Sequence, residues 1–240
     1  MTERFAGLSF FFPARNEELN VQPSVSRALE VLPAYADRIE VTVIDDGSTD
    51  RTGAIADGLA RADPRVKVVH HAQGQGYGGA VRAGLESATE PFIAFTDGDQ
   101  QFDVGDFGRL AEAMAPGVDA VIGYRIKRAD PWRRLVIAAV YNRVIRLLFA
   151  GGWRDVDCGF KLFRAEVFQR VPLARIRSNG AFFSAELLIN LRASGIVMRE
   201  VGLPHHPRLH HEPKGAPPRV IFKAIRDLLL LRLSLWLRPR

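Results

Sequence analysis

Ile39-Glu40-Val41-Thr42-Val43-Ile44-Asp45-Asp46-Gly47-Ser48-Thr49-Asp50 is the stretch on which the fold turns. Ile39–Ile44 is rich in β-branched residues and reads as a strand. It ends in paired acids and an Asp-Gly turn, and Thr52–Ala62 then carries a helical pattern. The same rhythm repeats on either side. Upstream, the apolar run Leu8–Phe12 precedes a helical segment, Glu17–Leu32. Downstream, strand Val66–His70 leads to helix Gly79–Ala88, strand Phe92–Thr96 leads to helix Val104–Met114, and strand Val118–Gly123 follows. Five strands separated by four helices predict an α/β fold with a doubly wound, mainly parallel central sheet. Nearly continuous apolar strands fit a sheet covered on both faces.

After residue 125 the rhythm changes. Trp132–Phe149 reads as a helix, Asp157–Phe163 as a short strand, Phe182–Ala193 as a helix and Ile196–Val201 as a strand. Pro204–Pro218 holds five prolines and four histidines and reads as a loop, and Val220–Leu237 as a helix. No internal repeat or flexible linker appears, so the second half elaborates the same domain.

At 240 residues and 47% apolar, the chain has ample material for one core, which excludes a disordered chain, a collagen and a coiled coil. A single cysteine, Cys158, excludes a disulfide framework and a cysteine-rich zinc site, and fits a reducing compartment. Leu8–Phe12 is shorter than the roughly 7–15 apolar residues of a secretory leader. No stretch reaches the roughly 18–20 uninterrupted apolar residues of a spanning helix. The expectation is a cytoplasmic protein, free or bound to a membrane surface. The net charge of +6 is concentrated in the C-terminal half. Residues 125–154 carry eight Arg or Lys against one acid, and residues 205–240 carry eight against two. Such asymmetry suits an anionic partner: nucleic acid, anionic lipid or a phosphorylated substrate.

In an open parallel sheet, ligands bind at the carboxyl ends of the strands. Here those ends carry Pro13-Ala14-Arg15-Asn16-Glu17, Asp45 to Asp50, Gly74-Gln75-Gly76-Tyr77-Gly78-Gly79, Asp97-Gly98-Asp99-Gln100-Gln101 and Tyr124-Arg125. Asp97-Gly98-Asp99 is the most telling. On an extended chain residues i and i+2 point the same way, so both carboxylates can share one hard cation. Mg²⁺ takes one or two carboxylates and completes its shell with phosphate and water oxygens. Gly98 leaves room for a ligand against the backbone. A strand-end turn alone would also use Asp and Gly. Asp45 or Asp46 can accept hydrogen bonds from a ribose or a base, while Ser48 or Asp50 caps the next helix. The glycine run contains a literal G-x-G-x-x-G, with Asp97 beyond it, which admits an NAD-dependent oxidoreductase. That fingerprint normally follows the first strand, however, and here it follows the third. Close backbone approach to a sugar nucleotide is the better reading.

Phe12-Pro13-Ala14-Arg15-Asn16-Glu17-Glu18, with Val43-Ile44-Asp45-Asp46-Gly47-Ser48-Thr49-Asp50, resembles the family 2 glycosyltransferases. Gly76 through Gly84, Asp97-Gly98-Asp99-Gln100-Gln101-Phe102, Gly123-Tyr124-Arg125, Asp157-Cys158-Gly159-Phe160-Lys161 and Ala185-Glu186-Leu187-Leu188 narrow the likeness. It points to dolichyl-phosphate mannose synthases and bacterial polyprenyl-phosphate glycosyltransferases, from about residue 8 to 215. The resemblance implies a GT-A fold over residues 1–215, with a basic amphipathic helix in 216–240 packed on it or on the membrane. It implies a metal-dependent, inverting transfer of a hexose from a nucleoside-diphosphate sugar, of GDP-mannose or UDP-glucose type, to a polyprenyl phosphate. Pro13, Arg15, Glu17, Ile44, Asp45, Asp46, Gly76, Asp97 and Gly98 would line the donor site. Arg208 and Lys214, on the Pro-rich loop, would close over the diphosphate. Asp97, Asp99 and Gln101 would surround Mg²⁺ or Mn²⁺. Arg125 would meet phosphate, with Arg133 and Arg134 on the acceptor side, and Asp99, Arg125 and Asp157 would serve catalysis. The relatives usually carry Tyr where Arg15 stands and Ala where Gly98 stands, which leaves base and sugar preference open. A separate membrane subunit is a further partner left open by the likeness.

A cation beside Arg or Lys stabilises a departing diphosphate whatever the family. A lipid phosphate acceptor is already anionic and needs no strong base. A hydroxyl acceptor, in a polysaccharide or small molecule, would need one, with Asp157 and Glu186 as candidates. Trp132–Phe149 and Val220–Leu237 combine apolar residues with arginines and read as helices lying in a membrane interface, or as core or dimer contacts. A nucleic-acid module is disfavoured, because the acidic crevice repels phosphate without metal and the aromatics form no stacking platform. His205, His206, His210 and His211 lack metal-ligand spacing, and Cys158 has no evident His base.

Overall fold

The computed structural model describes residues 4–127, 132–149, 152–208 and 218–236. The first half runs β1 (Leu8–Ala14), α1 (Val21–Val31), β2 (Ile39–Asp45), α2 (Thr52–Ala62), β3 (Val66–His70), α3 (Tyr77–Ser87), β4 (Phe92–Phe95), α4 (Phe107–Ala113) and β5 (Ala120–Arg125). The second half adds α5 (Trp132–Phe149), β6 (Lys161–Arg164), the single turn α6 (Val167–Arg170), α7 (Phe183–Ala193), β7 (Met198–Leu203) and α8 (Pro218–Trp236).

Seven strands form one sheet in the order β3-β2-β1-β4-β6-β5-β7. Neighbours are parallel except around β6, which runs antiparallel to both β4 and β5. The expected doubly wound, mainly parallel sheet is present. The alternation did not reveal that β6 lies between β4 and β5. The strand also starts at Lys161 rather than Asp157, because the preceding residues turn, with Cys158 donating its amide to the Asp155 carbonyl. Helix α1 begins at Val21 rather than Glu17 because the Glu17 carbonyl accepts the amides of Asn20 and Val21, forming a turn first.

Burial follows strand alternation. Phe10 and Phe12 enter the core on one face of the sheet, and Phe11 enters the core on the other. On the first face, Val21, Val25 and Ala28 of α1 pack with Phe107 and Leu110 of α4 and Ala56 of α2. On the second lie Val81 and Leu85 of α3, most of α7, Ile145 of α5, and Leu228 and Leu231 of α8. Gly84 lets α3 approach closely, since a Cβ there would overlap the Phe11 ring. Among the described residues, no helix is long and apolar enough to cross a membrane.

The direction of the strands builds the site. Parallel pairing brings the carboxyl ends of β1, β2, β4 and β5 to one edge of the sheet. Antiparallel β6 brings its approach, residues 155–160, to that same edge. β7 runs with β5 and delivers Pro204–Arg208 there as well.

Candidate active site

The floor of the crevice is Asp97-Gly98-Asp99, just past β4. The Asp97 Oδ1 atom is buried with no hydrogen-bond partner. A Cβ at Gly159 would overlap the same carboxylate, so the glycine after Cys158 is what makes room for it. Burial first, and the charge of Asp99 second, push the Asp97 carboxyl up to about 6. The Tyr77 hydroxyl, at the start of α3, and the Lys161 ammonium lie close enough to act on it electrostatically.

Asp99 is buried and already meets a cation. Its Oδ2 accepts from Arg208 Nη2 at 2.5 Å and Nε at 3.2 Å. The same guanidinium lies 4.0 Å from Glu17 Oε1. Burial works against the charge of Arg208, but the bond to Asp99 outweighs it and the group stays firmly protonated. Gln101 holds the segment that carries Arg208. Its carbonyl accepts the His206 amide at 2.9 Å, and its Nε2 donates to the His206 carbonyl at 3.2 Å. Glu17 Oε2 accepts from Asn20 Nδ2.

The end of β2 is stitched to its surroundings. Asp46 accepts the amides of Gln75 at 2.7 Å and Gly76 at 2.9 Å and pairs with His71 Nδ1 at 2.8 Å. It thereby pins the glycine run to the sheet. Arg15 Nη1 lies 4.0 Å from Asp46, and the Arg15 side chain covers Gly74. Asp45 turns the other way, to His70 Nδ1 and the Ser48 amide. Asp50 accepts the Thr52 amide in a turn just ahead of α2, while Arg51 at the cap position itself makes no side-chain cap bond. Pro13 sits opposite Ile44 in the β1–β2 register. Ile44 is fully buried in the core, so a ligand could meet it only through its backbone. Gly76 adopts φ +85°, with the Asn179 carbonyl 2.8 Å from where a Cβ would stand.

At the end of β5, Arg125 is clamped by Asp155, with Nε–Oδ2 2.5 Å and Nη2–Oδ1 2.7 Å. Burial opposes the charge, but this bidentate pair prevails and raises the Arg125 pKa. Asp157 lies within electrostatic reach of Arg125, Lys161, Tyr77 and Tyr141. Lys161 is fully buried, donates to the Cys158 carbonyl and lies 5.6 Å from the Phe95 ring centre. Burial lowers its pKa, against the pull of Asp97, Asp157 and Asp155. Burial also pushes the Cys158 thiol up to about 12, so it carries no thiolate at neutral pH. Glu186 is buried, and its two oxygens accept the amides of Arg177 and Ser178. Lys214 and the side chains of Arg133 and Arg134 lie outside the described residues.

No three His, Cys, Asp or Glu side chains among the described residues converge as a metal cage. The donor set at Asp97 and Asp99 nevertheless fits a hard divalent ion that brings its own phosphate and water oxygens. The unpartnered Asp97 oxygen is the atom that such an ion would satisfy.

Residues 9–171 match the family described as glycosyl transferase family 2. The chain belongs to that family. It is 33% identical over 198 residues to the polyprenol monophosphomannose synthase of Mycolicibacterium smegmatis, covering 79% of this chain and 73% of that protein. It is 30% identical over 225 residues to the dodecaprenyl-phosphate galacturonate synthase of Rhizobium johnstonii, covering 92% of this chain and 65% of that protein. Among solved structures it resembles glucosyl-3-phosphoglycerate synthase from Mycobacterium tuberculosis in complex with Mn²⁺, uridine diphosphate and phosphoglyceric acid. That match has a TM-score of 0.73 at 20% identity and covers 95% of this chain and 78% of the other. The same synthase has also been solved with Mg²⁺ and uridine diphosphate. The GT-A fold expected from the resemblance is the fold found.

Three site features of this glycosyltransferase were not assigned from sequence. Asp155 holds Arg125, Lys161 compensates the buried acids, and Asn179 supports the glycine run. Asp157-Cys158-Gly159-Phe160-Lys161 stands out as a motif, but nothing local in it shows that its lysine is buried within electrostatic reach of Asp97.

Proposed function

We propose that this glycosyltransferase moves one hexose from a nucleoside-diphosphate sugar to a polyprenyl phosphate, with inversion at the anomeric carbon. The observation that carries the reading is the Asp97–Asp99 pair just past β4, with Asp99 buried and already bonded to the Arg208 guanidinium at the carboxyl edge of the sheet. Two carboxylates and a guanidinium on a Pro-rich segment suit a diphosphate and the cation that accompanies it. The names of the M. smegmatis and R. johnstonii relatives support the acceptor class.

Mg²⁺ or Mn²⁺, when bound by Asp97 and Asp99 with Gln101 adjacent, neutralises the charge that gathers on the departing diphosphate. Arg208, with Lys214 further along the same segment, turns from Asp99 to the diphosphate oxygens. Pro13, Arg15, Glu17, Asp45, Asp46 and the backbone at Ile44, Gly76 and Gly98 form the wall for base, ribose and sugar. Asp46 acts there chiefly by fixing the glycine run. Arg125, held rigid by Asp155, meets the acceptor phosphate, with Arg133 and Arg134 beyond it. The acceptor oxygen attacks the anomeric carbon from the face opposite the diphosphate. One carbon–oxygen bond forms as the other breaks, and the leaving diphosphate takes the electron pair. A phosphate oxygen is anionic near pH 7, so no base is required. The occupied oxygens of Glu186 agree with that.

A lipid acceptor requires a membrane surface. Trp132, Val136, Val140 and Leu147 form one exposed apolar stripe on α5, with Leu147 75% exposed. This supports peripheral attachment to the cytoplasmic face, with residues 216–240 as a second contact. The test is transfer from labelled GDP-mannose and UDP-glucose to polyprenyl phosphate. Label is expected in the lipid extract with one donor, only with divalent metal, and not with Asp99→Asn. Label on a hydroxyl acceptor and none on polyprenyl phosphate would overturn the acceptor assignment.

A further inference from the structure

A cavity of about 570 Å³ lies between α8 and the segment that leads into α7. Arg175, Arg177, Lys223 and Arg226 line it. So do two acids, but both are engaged. Glu186 accepts two backbone amides, and Asp227 accepts from Arg226 and from the Ser178 hydroxyl. Among the described residues, Arg175, Arg177 and Lys223 therefore make no ion pair, and their charges converge on an open space. Lys223, Arg226, Asp227, Leu230 and Leu231 follow the spacing of one helix face. The cations sit toward the start of α8 and the leucines toward its end. Leu230 and Leu233 line the cavity while more than half exposed, and Phe222, Ile225 and Leu229 extend the exposed apolar surface around the helix.

A small soluble anion would use the cations and leave the leucines bare. An amphiphile uses both. The geometry points to a second lipid site: the cavity takes the phosphate of an anionic bilayer lipid on Arg175, Arg177 and Lys223, with its chains along Leu230 and Leu233. The volume lies within the roughly 300–1,000 Å³ of ordinary ligand pockets, and each cation adds to attraction toward an anionic leaflet. The site goes beyond the proposed transfer reaction, because its ligand is a lipid of the membrane and not the acceptor. It sits one segment away from the donor loop. Ser178 bonds to α8, and the carbonyl of the next residue, Asn179, accepts the Gly78 amide at 3.1 Å.

The test is sedimentation of the full chain with phosphatidylcholine vesicles, with and without phosphatidylglycerol. The combined variant Arg175→Gln, Arg177→Gln, Lys223→Gln is compared with Arg61→Gln, Arg109→Gln, Arg199→Gln, which removes the same charge from exposed positions elsewhere. Wild type is expected to bind the phosphatidylglycerol vesicles. The cavity variant should bind them about tenfold or more weakly, and the control within about twofold of wild type. Equal loss in both variants would reduce the effect to net charge and overturn the site. Displacement from vesicles by millimolar inorganic phosphate would assign the cavity to a soluble phosphate instead. Competition at these three residues by polyprenyl phosphate would assign it to the acceptor. Melting curves check that each variant is folded, and Lys223→Glu alone, at an exposed position, repeats the test if the triple variant is not. Transfer by wild type to a short-chain polyprenyl phosphate without vesicles tests the transfer reaction separately, so either reading can fail alone.

Discussion

Asp97 combines a high cost to the fold with a direct use. Its carboxyl is raised from 3.8 to about 6, so ionising it opposes folding. The sign follows: stability that is full below 3.8 is lost as pH rises through about 6. Asp97→Asn removes that cost. The metal-free variant should melt a few degrees higher than wild type at pH 7.5, the gain shrinking toward pH 4, while transfer is lost; scanning calorimetry and the lipid-extraction assay check both. On the proposed function, the guanidinium of Arg208 competes with a metal ion for Asp99. Arg208→Ala should bind Mn²⁺ several-fold tighter in the absence of donor, yet show a raised KM for the sugar nucleotide. Unchanged values in calorimetry and kinetics would remove Arg208 from the site. His70, the last residue of β3, gives a second pH dependence of the same sign. Its bonds to Asp57 first and Asp45 second raise its pKa above 6.5. The stability it contributes is full below 6.5 and disappears as pH rises through the raised value. Urea unfolding should therefore separate wild type from His70→Gln more at pH 5.5 than at pH 8.5. A good part of this chemistry is visible in short runs of sequence, because parallel strands bring Asp45-Asp46 and Asp97-Gly98-Asp99 to the same edge of the sheet, on either side of the end of β1. The partners are not. Arg208 is 109 residues from Asp99, and Asp155 is 30 from Arg125. Only the closing of the sheet brings them together.

At the level of elements, the loop between β3 and α3 depends on a neighbour that no local pattern announces. Gly76 must hold a positive φ with the Asn179 carbonyl against it. The segment carrying Asn179 is in turn fastened by Glu186 of α7 and Asp227 of α8. Gly76→Ala should cost about 1–2 kcal/mol in backbone strain and displace that carbonyl. A lower melting temperature together with a raised donor KM is expected; a lower melting temperature alone would limit Gly76 to a structural part. The strands and helices of the first half were legible because period-2 and helical patterns alternate in blocks of ordinary length. β6 was harder. It is four residues long and buried on both faces, and it carries a lysine where a central strand normally shows none. The order of strands in a sheet is set by which edges meet, and hydropathy along the chain does not record it.

At the level of the whole molecule, two kinds of surface are segregated. The acidic crevice is built at the strand ends of the first half, while α5 and α8, rich in arginine and exposed apolar side chains, come from the later half of the chain. A polymer with the same composition but evenly mixed charge would lack this basic, apolar side. The position of β6 adds a constraint on the order of assembly. β4 and β5 never pair with each other; each pairs with a strand made some 40 to 70 residues after them. A fragment of residues 1–127 should therefore show no cooperative unfolding transition by circular dichroism, although it contains five of the seven strands. On the ribosome, β1 to β4 must wait with an apolar edge uncovered for several seconds, until residue 164 has left the exit tunnel. Asp97 and Asp99, the proposed cation ligands, sit at the end of that edge. Translation thus leaves this corner of the crevice unformed until the sheet around it can close, and a nascent chain stalled before β6 keeps an apolar strand edge exposed.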